Sequence, residues 1–260
     1  MIADQAYKAI EFRAMHTPGR PLILFNVWDA GSAKAVTASG AAAIATSSWS
    51  VAAAHGFSDG EQMPLTLAIA NLRRIVAATA LPVTVDLESG YGNAPEAVGE
   101  AIDLAISAGA IGCNLEDSFP ATGKLRETAD QCKRLRHARQ TAEAANIAFF
   151  LNARTDVFFQ RSAAEHDESM LRDAIIRANA YAEAGANGIF VPGLTNLALI
   201  ASFAKSSPLP VNVMVGEGTP LASVLAEAGV ARISYGPGPY LLAMKALEEA
   251  ARLKSPELPA

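Results

Sequence analysis

The chain has 260 residues, 51% apolar and 18% charged, with 19 Gly and 14 Pro. That composition excludes a disordered, collagen-like or low-complexity polypeptide and leaves a soluble globular protein with one sizeable core. With 21 Lys plus Arg against 26 Asp plus Glu, the net charge of −5 opposes nucleic acid and anionic membrane surfaces as partners.

The stretch before Pro21 mixes charges into an amphipathic pattern, without the unbroken apolar segment of a leader or a membrane span. It reads as a helix that caps the bottom of the fold or packs on a neighbour. Cys113 and Cys132 are the only cysteines, too few for a disulfide framework or a structural zinc site, which fits a reducing cytoplasm. From Leu22 onward, short β-branched runs alternate with Ala-rich stretches. Strands are predicted at 22–27, 43–47, 82–86, 112–116, 148–152, 188–191, 211–215 and 232–235. Helices follow them at 32–39, 64–78, 94–108, 128–145, 167–184, 196–205, 220–228 and 240–253. The strands are nearly continuous apolar runs, the pattern of parallel strands buried on both faces. Four helix-to-strand joints share one form, with Gly40, Gly109, Gly185 and Gly229 placed where a helix ends in a left-handed residue. Eight such units with right-handed crossovers predict a single (β/α)8 TIM-type barrel over residues 1–260; a doubly wound open sheet is the structural alternative.

In such a barrel the chemistry lies at the C-terminal ends of the strands. The third strand ends in Asp86-Leu87-Glu88, and the two carboxylates, two residues apart, share one side of an extended chain. The fourth ends in Glu116-Asp117 and the fifth runs into Arg154. Any one of these acids could simply cap a helix or pair with Arg154. Three carboxylates, Asp86 and Glu88 from the third strand and Glu116 from the fourth, brought to one rim would repel unless a cation or proton intervened, which points to a hard divalent metal beside an anionic substrate. Gly90-Tyr91-Gly92 would let the backbone pass close to a ligand or make a tight turn. Ser47, Ser48 and Trp49 begin a loop with amides free for a carboxylate.

The ordered set of the Ser-rich turn, Asp59, Asp86-Leu87-Glu88-Ser89-Gly90-Tyr91-Gly92, Leu115-Glu116-Asp117 and Ala153-Arg154-Thr155 resembles the isocitrate lyase and phosphoenolpyruvate mutase superfamily. The resemblance implies Mg2+, replaceable by Mn2+, nearest Asp86, with Asp59, Glu88 and Glu116 holding its waters. It further implies that Ser47, Ser48 and Trp49, with Gly90 and Tyr91, bind a small 2-oxo or 2-hydroxy acid. Arg154 would stabilise a pyruvate-type enolate, with Glu116 and Asp59 in the catalytic set, and the protein would be a homodimer or homotetramer that exchanges its last helix.

The chain departs from that family where bond cleavage is decided. The Lys-Lys/Arg-Cys-Gly-His loop of the lyases is replaced by Ser118-Phe119-Pro120-Ala121-Thr122-Gly123-Lys124-Leu125-Arg126, which has no cysteine or histidine. The same segment resembles the mutase loop, but with Ala121 and Gly123 where that loop has its functional Lys and Asn. Glu88 stands where many members have Asp, and the glutamate of the lyases after the sixth strand is absent. The leading expectation is therefore a Mg2+-dependent lyase or decarboxylase acting on a carbon–carbon bond of a small (di)carboxylic acid. The alternatives are a carbon–phosphorus hydrolase or mutase, an enzyme using Gly216 and Gly238 to hold a phosphate, and a non-catalytic oxo-acid-binding protein.

Overall fold

The fold is described by a computed structural model over residues 2–254; the ends of the predicted span, residue 1 and 255–260, lie outside the described residues. Eight parallel strands form the barrel: β1 (Leu22–Leu24), β2 (Ile44–Ala45), β3 (Val83–Asp86), β4 (Gly112–Glu116), β5 (Phe150–Arg154), β6 (Gly188–Phe190), β7 (Val211–Met214) and β8 (Arg232–Ser234). They pair in the order β1-β8-β7-β6-β5-β4-β3-β2. The ring closes just beyond the strand ends, where Val27 N donates to Ala45 O at 2.8 Å and Ser47 N to Val27 O at 3.2 Å. The open-sheet alternative is thereby removed.

Ten α-helices are described: α1 (Ile2–Ala14), α2 (Ala30–Ala38), α3 (Ser48–Ala54), α4 (Leu65–Ala77), α5 (Pro95–Ser107), α6 (Thr128–Ala144), α7 (Glu168–Glu183), α8 (Leu197–Ser206), α9 (Ala222–Glu227) and α10 (Gly238–Lys254). None is long and apolar enough to cross a membrane. The four joint glycines have φ between +86° and +99°, as the end of a helix requires.

Several bounds differ from expectation, β1 and β2 being shorter than predicted, and two of the differences bear on the site. Strand β5 lies two residues later than predicted, because Asn146, at φ 56°, and Ile147, whose N–H bonds Ala142 O, still belong to the exit turn of α6. The shift puts Arg154 inside the strand, paired in register with Glu116. The expected loop after β2 contains a short helix, α3, capped by Ser47 through Ser50 N.

The interior of the barrel is unusually polar. Inward positions carry Asn114, Asn152, Asn212 and Arg232, all buried, where branched apolar residues commonly fill such barrels. Asn152 Nδ2 donates to Asn114 Oδ1 at 2.9 Å and to Asn212 Oδ1 at 3.1 Å. Burial pushes Arg232 down to about 9. Below this layer α1 stops the bottom: the His16 ring stacks on Phe150 at 4.0 Å, and Phe12 meets Phe150 edge-on at 5.5 Å. Burial, with Arg232 nearby, lowers His16 to about 3, so a neutral imidazole plugs the barrel. A ligand therefore enters from the C-terminal mouth.

Candidate active site

The strand ends bring most of the sequence candidates to one mouth. A cavity of about 170 Å³ is lined by Ser47, Ser48 and Trp49 after β2, Asp86 of β3, Asp59, Asn114 of β4 and Arg154 of β5. Asp86 Oδ2 accepts from Ser48 Oγ at 2.9 Å and Ser48 N at 3.2 Å, and the same hydroxyl lies 3.3 Å from Asp59 Oδ1. Asp86 Oδ1 is buried without a partner. A buried carboxylate oxygen left unpaired is costly, so this atom is the point at which a bound cation would be satisfied.

Glu88 stands one step further out. Its Oε2 accepts from Gly60 N at 2.8 Å and Glu61 N at 2.5 Å, and Tyr91 Oη donates to Oε1 at 3.4 Å. Burial, with Asp59 and Asp86 close by, raises Glu88 to about 7. Burial and Asp86 also raise Asp59. Glu116 is raised as well: burial, Asp156 and Asp86 outweigh Arg154, although Arg154 Nη1 lies 2.8 Å from its Oε2.

Arg154 is clamped in place. Nε meets Asp156 Oδ1 at 2.6 Å and Nη2 meets Asp156 Oδ2 at 3.1 Å. Ser118 Oγ bridges Glu116 Oε1 at 2.9 Å and Asp156 Oδ2 at 2.8 Å. A guanidinium has five N–H bonds. With three engaged, two remain for a ligand in the cavity.

Among the described residues no three acidic, His or Cys side chains converge closely enough to ligate one ion directly. The donor set instead suits an ion that touches Asp86 and keeps its water, with Asp59, Glu88 and Glu116 at a distance, which is the habit of Mg2+. The residues present therefore fit that ion.

Backbone strain collects at the same place. Glu61, Glu88 and Tyr91 have φ of 59°, 50° and 57°, three of the four non-glycine residues with positive φ among those described. Glu61 Oε1 secures the turn by accepting from Ser89 Oγ at 2.6 Å and Tyr91 N at 2.8 Å. Arg134 braces it from below, donating to Gly92 O at 2.7 Å, Asn93 O at 2.6 Å and also Ser89 O. Strained backbone held this firmly is characteristic of functional sites.

Some candidates stand elsewhere. Gly90 does not line the cavity: at φ 98°, a Cβ there would lie 2.9 Å from Leu115 and 3.1 Å from Val98, so its small size serves packing rather than ligand approach. Tyr91 faces Glu88 in a neighbouring pocket. The amide of Ser47 closes the barrel and that of Ser48 serves Asp86, which leaves Trp49 N of this trio for a substrate carboxylate. Loop 118–126 is a folded hairpin with Arg126 stacked 4.0 Å over Phe119, and Lys124 does not line the cavity. The phosphate alternative loses its donors, because Gly216 N bonds Thr219 Oγ1 at 2.9 Å and Gly238 N bonds Tyr235 O at 3.1 Å. Asn26, Asp156, Phe159, Phe190 and Met214 had no sequence signal beyond their place at or after a strand end.

The raised carboxylates set a pH dependence with a definite sign. Glu88 moves from 4.5 unfolded to about 7 folded, so its contribution to stability is whole below the unfolded value and lost as pH rises through the folded one. Metal-free protein should therefore show a falling Tm between about pH 5 and about pH 8. The Mg2+ increment in Tm should grow across the same range, because the ion requires ionised carboxylates. Thermal melts with and without Mg2+ across that range check both slopes.

The phosphoenolpyruvate phosphomutase family model matches residues 12–253. The 2-methylisocitrate lyase of Escherichia coli is 32% identical over 92% of this chain and 80% of its own. A crystal structure from Burkholderia cenocepacia, provisionally assigned as a phosphonomutase, is 56% identical over 96% of this chain and all of that one, with a TM-score of 0.94. A phosphonopyruvate hydrolase solved with oxalate and Mg2+ shares the fold at 23% identity, covering 95% of this chain and 87% of that one, with a TM-score of 0.81.

Proposed function

The chain belongs to the phosphoenolpyruvate mutase family of the isocitrate lyase superfamily, and from that premise we propose that it is a Mg2+-dependent lyase or decarboxylase. It cleaves a carbon–carbon bond in a small 2-oxo or 2-hydroxy (di)carboxylic acid. A 2-oxo acid that loses CO2 leaves a pyruvate-type enolate; a 2-hydroxy acid that gives up its hydroxyl proton to a base leaves a 2-oxo acid, with the bond's electrons on the departing carbon beside its carboxylate. The observation that carries this reading is the pairing, in one cavity closed from below, of a buried carboxylate oxygen without a partner on Asp86 and a braced guanidinium on Arg154.

Asp86 would hold Mg2+, with Asp59, Glu88 and Glu116 on its waters, and the ion would supply Lewis-acid stabilisation of charge on the substrate's oxygens. The residues of the chain do the rest. Trp49 N and the Ser47 hydroxyl receive the substrate carboxylate. Arg154 directs its two remaining N–H groups at the oxygen on C2, which bears negative charge as the enolate of a 2-oxo acid or as the alkoxide of a 2-hydroxy acid. Glu116 and Asp156 fix the guanidinium beforehand, so little reorganisation is needed at the transition state. Phe159 and Trp49, at the mouth, reduce access of water. Carbon–phosphorus chemistry is the weaker reading, because Ala121 and Gly123 offer the hairpin no group to hold a phosphonate.

Pure protein with Mg2+ should release pyruvate from oxaloacetate or a substituted malate and no phosphate from phosphonopyruvate. Release of phosphate would favour the hydrolase reading, and no turnover of any would sink both.

We also propose a homo-oligomer. Helix α10 exposes Leu241, Leu242 and Leu247, while Ile23 and Phe25 of the β1 segment remain 41% and 38% exposed, although outward strand residues of such barrels are ordinarily covered by helices. A copy of α10 from a second subunit would cover them. Leu242→Lys should shift the protein toward monomer in sedimentation analysis; an unchanged mass would place the interface elsewhere.

A further inference from the structure

We infer, resting on the metal and oxo-acid reading above, that Arg232 is a charge-selecting residue beneath the cavity. It weakens the hold on Mg2+ alone and favours Mg2+ together with a dianion, so that the metal and a dicarboxylate substrate bind as a pair.

Arg232 projects from β8 into the barrel and is 1% exposed. Its contacts are neutral and long: Nε donates to Ser234 Oγ at 3.4 Å and Nη2 to Asn114 Oδ1 at 3.4 Å, while Nη1 is buried without a partner. Arg154, by contrast, meets Glu116 and Asp156 at ion-pair distance. Branched apolar side chains ordinarily fill such an interior, and a methionine would occupy much of the same volume with no charge to desolvate. Packing by itself therefore gives no reason for a cation here.

Position gives one. Asn114 and Ser234, the two side chains that Arg232 touches, both line the cavity. Asn114 is also paired in register with Asp86, whose charge acts on Arg232 through the protein. On the other side lies the neutral His16 ring, which brings no counter-charge. The field of the guanidinium thus reaches the metal end of the cavity through a buried polar layer, where screening is weak. Asn152 Nδ2 and Arg232 Nη2 both donate to Asn114 Oδ1, which turns the Asn114 amide so that its own N–H groups are left for a ligand.

A divalent ion on Asp86 would face that positive charge across one side chain, and the two would repel. A monoanion leaves the pair of cations with excess positive charge; a dianion removes more of it. In the proposed reaction the second carboxylate of the substrate is the group lost as CO2 from a 2-oxo acid, or the group beside the carbon that departs from a 2-hydroxy acid. The buried charge therefore selects the class of acid that can react.

Calorimetric titration of Mg2+ alone, and then of oxalate or pyruvate at saturating Mg2+, tests this on the full chain. Arg232→Met should tighten Mg2+ alone and weaken oxalate, a dianion, each by about tenfold, with a smaller loss for pyruvate, a monoanion. Opposite signs in one variant distinguish a charge effect from damage to the site, which would weaken both ligands. Mg2+ affinity that is unchanged or weakened in Arg232→Met, or an oxalate affinity that is unchanged, overturns the inference. Should that variant fail to fold, Arg232→Gln, which keeps polar contacts without the charge, gives the same reading; failure of both neutral variants to fold also overturns it, because the charge would then serve the barrel. Absence of Mg2+-dependent oxalate binding in the parent overturns the metal and oxo-acid reading itself, and this inference with it.

Discussion

Asp86→Asn should abolish Mg2+-linked thermal stabilisation and lower turnover by roughly a thousandfold or more, while leaving the metal-free protein as stable as the parent or more so. The opposite signs follow from the surroundings of the residue. Asp86 accepts from Ser48 through one oxygen and leaves the other buried and unpartnered. Its charge raises the pKa of Asp59, Glu88 and Glu116, so all three carry the repulsion that it causes. Asparagine keeps the shape and removes that charge. The fold loses an electrostatic burden, and the site loses the acid proposed to touch the ion. Melting curves of parent and variant, each with and without Mg2+, separate the two effects. A variant that retained its Mg2+ increment would show that the ion, if bound, rests on other groups.

The largest expected effect on stability lies behind the site. Asp117 is fully buried: its Oδ2 accepts from Tyr181 Oη at 2.7 Å and Arg177 Nη1 at 3.1 Å, and its Oδ1 from Asp156 N at 3.0 Å. Asp117→Ala would leave the Arg177 guanidinium buried against Tyr181 with its main counter-charge gone. Breaking such a pair from one side costs about 3–5 kcal/mol, or a fall in Tm of roughly 10 °C in a protein of this size. The loss should also reach the active site, because Asp117 positions the backbone of Asp156, whose side chain clamps Arg154. Removing both partners, in Asp117→Ala with Arg177→Met, should recover much of the stability, because no lone charge then remains. Denaturant unfolding of the two single variants and the double variant measures the coupling. A double variant no more stable than Asp117→Ala would show that the hydrogen bond to Asp156, rather than the ion pair, dominates.

The sequence by itself determined the eight repeats and the rim on which the chemistry stands. Both are local properties: buried parallel strands read as short apolar runs, helix exits read as glycines, and Asp86 closes an apolar strand; the two-residue spacing did not place Glu88, because β3 ends at Asp86 and Glu88 stands beyond it at φ 50°. The tertiary structure alone decided how those groups are used. Glu61, a loop residue without a motif, reaches the turn after β3 and holds it strained. Arg177 reaches Asp117 from 60 residues away, and Tyr181 from 64. Gly90, which from sequence could admit a ligand, instead admits Leu115 and Val98. Phe190 and Met214 look like ordinary strand residues until ring closure turns them toward Asp86 and Arg154. Periodicity records which face a residue takes on its own element; which residues meet across a closed ring depends on strand register and crossover packing, and these are fixed only when the whole chain has folded.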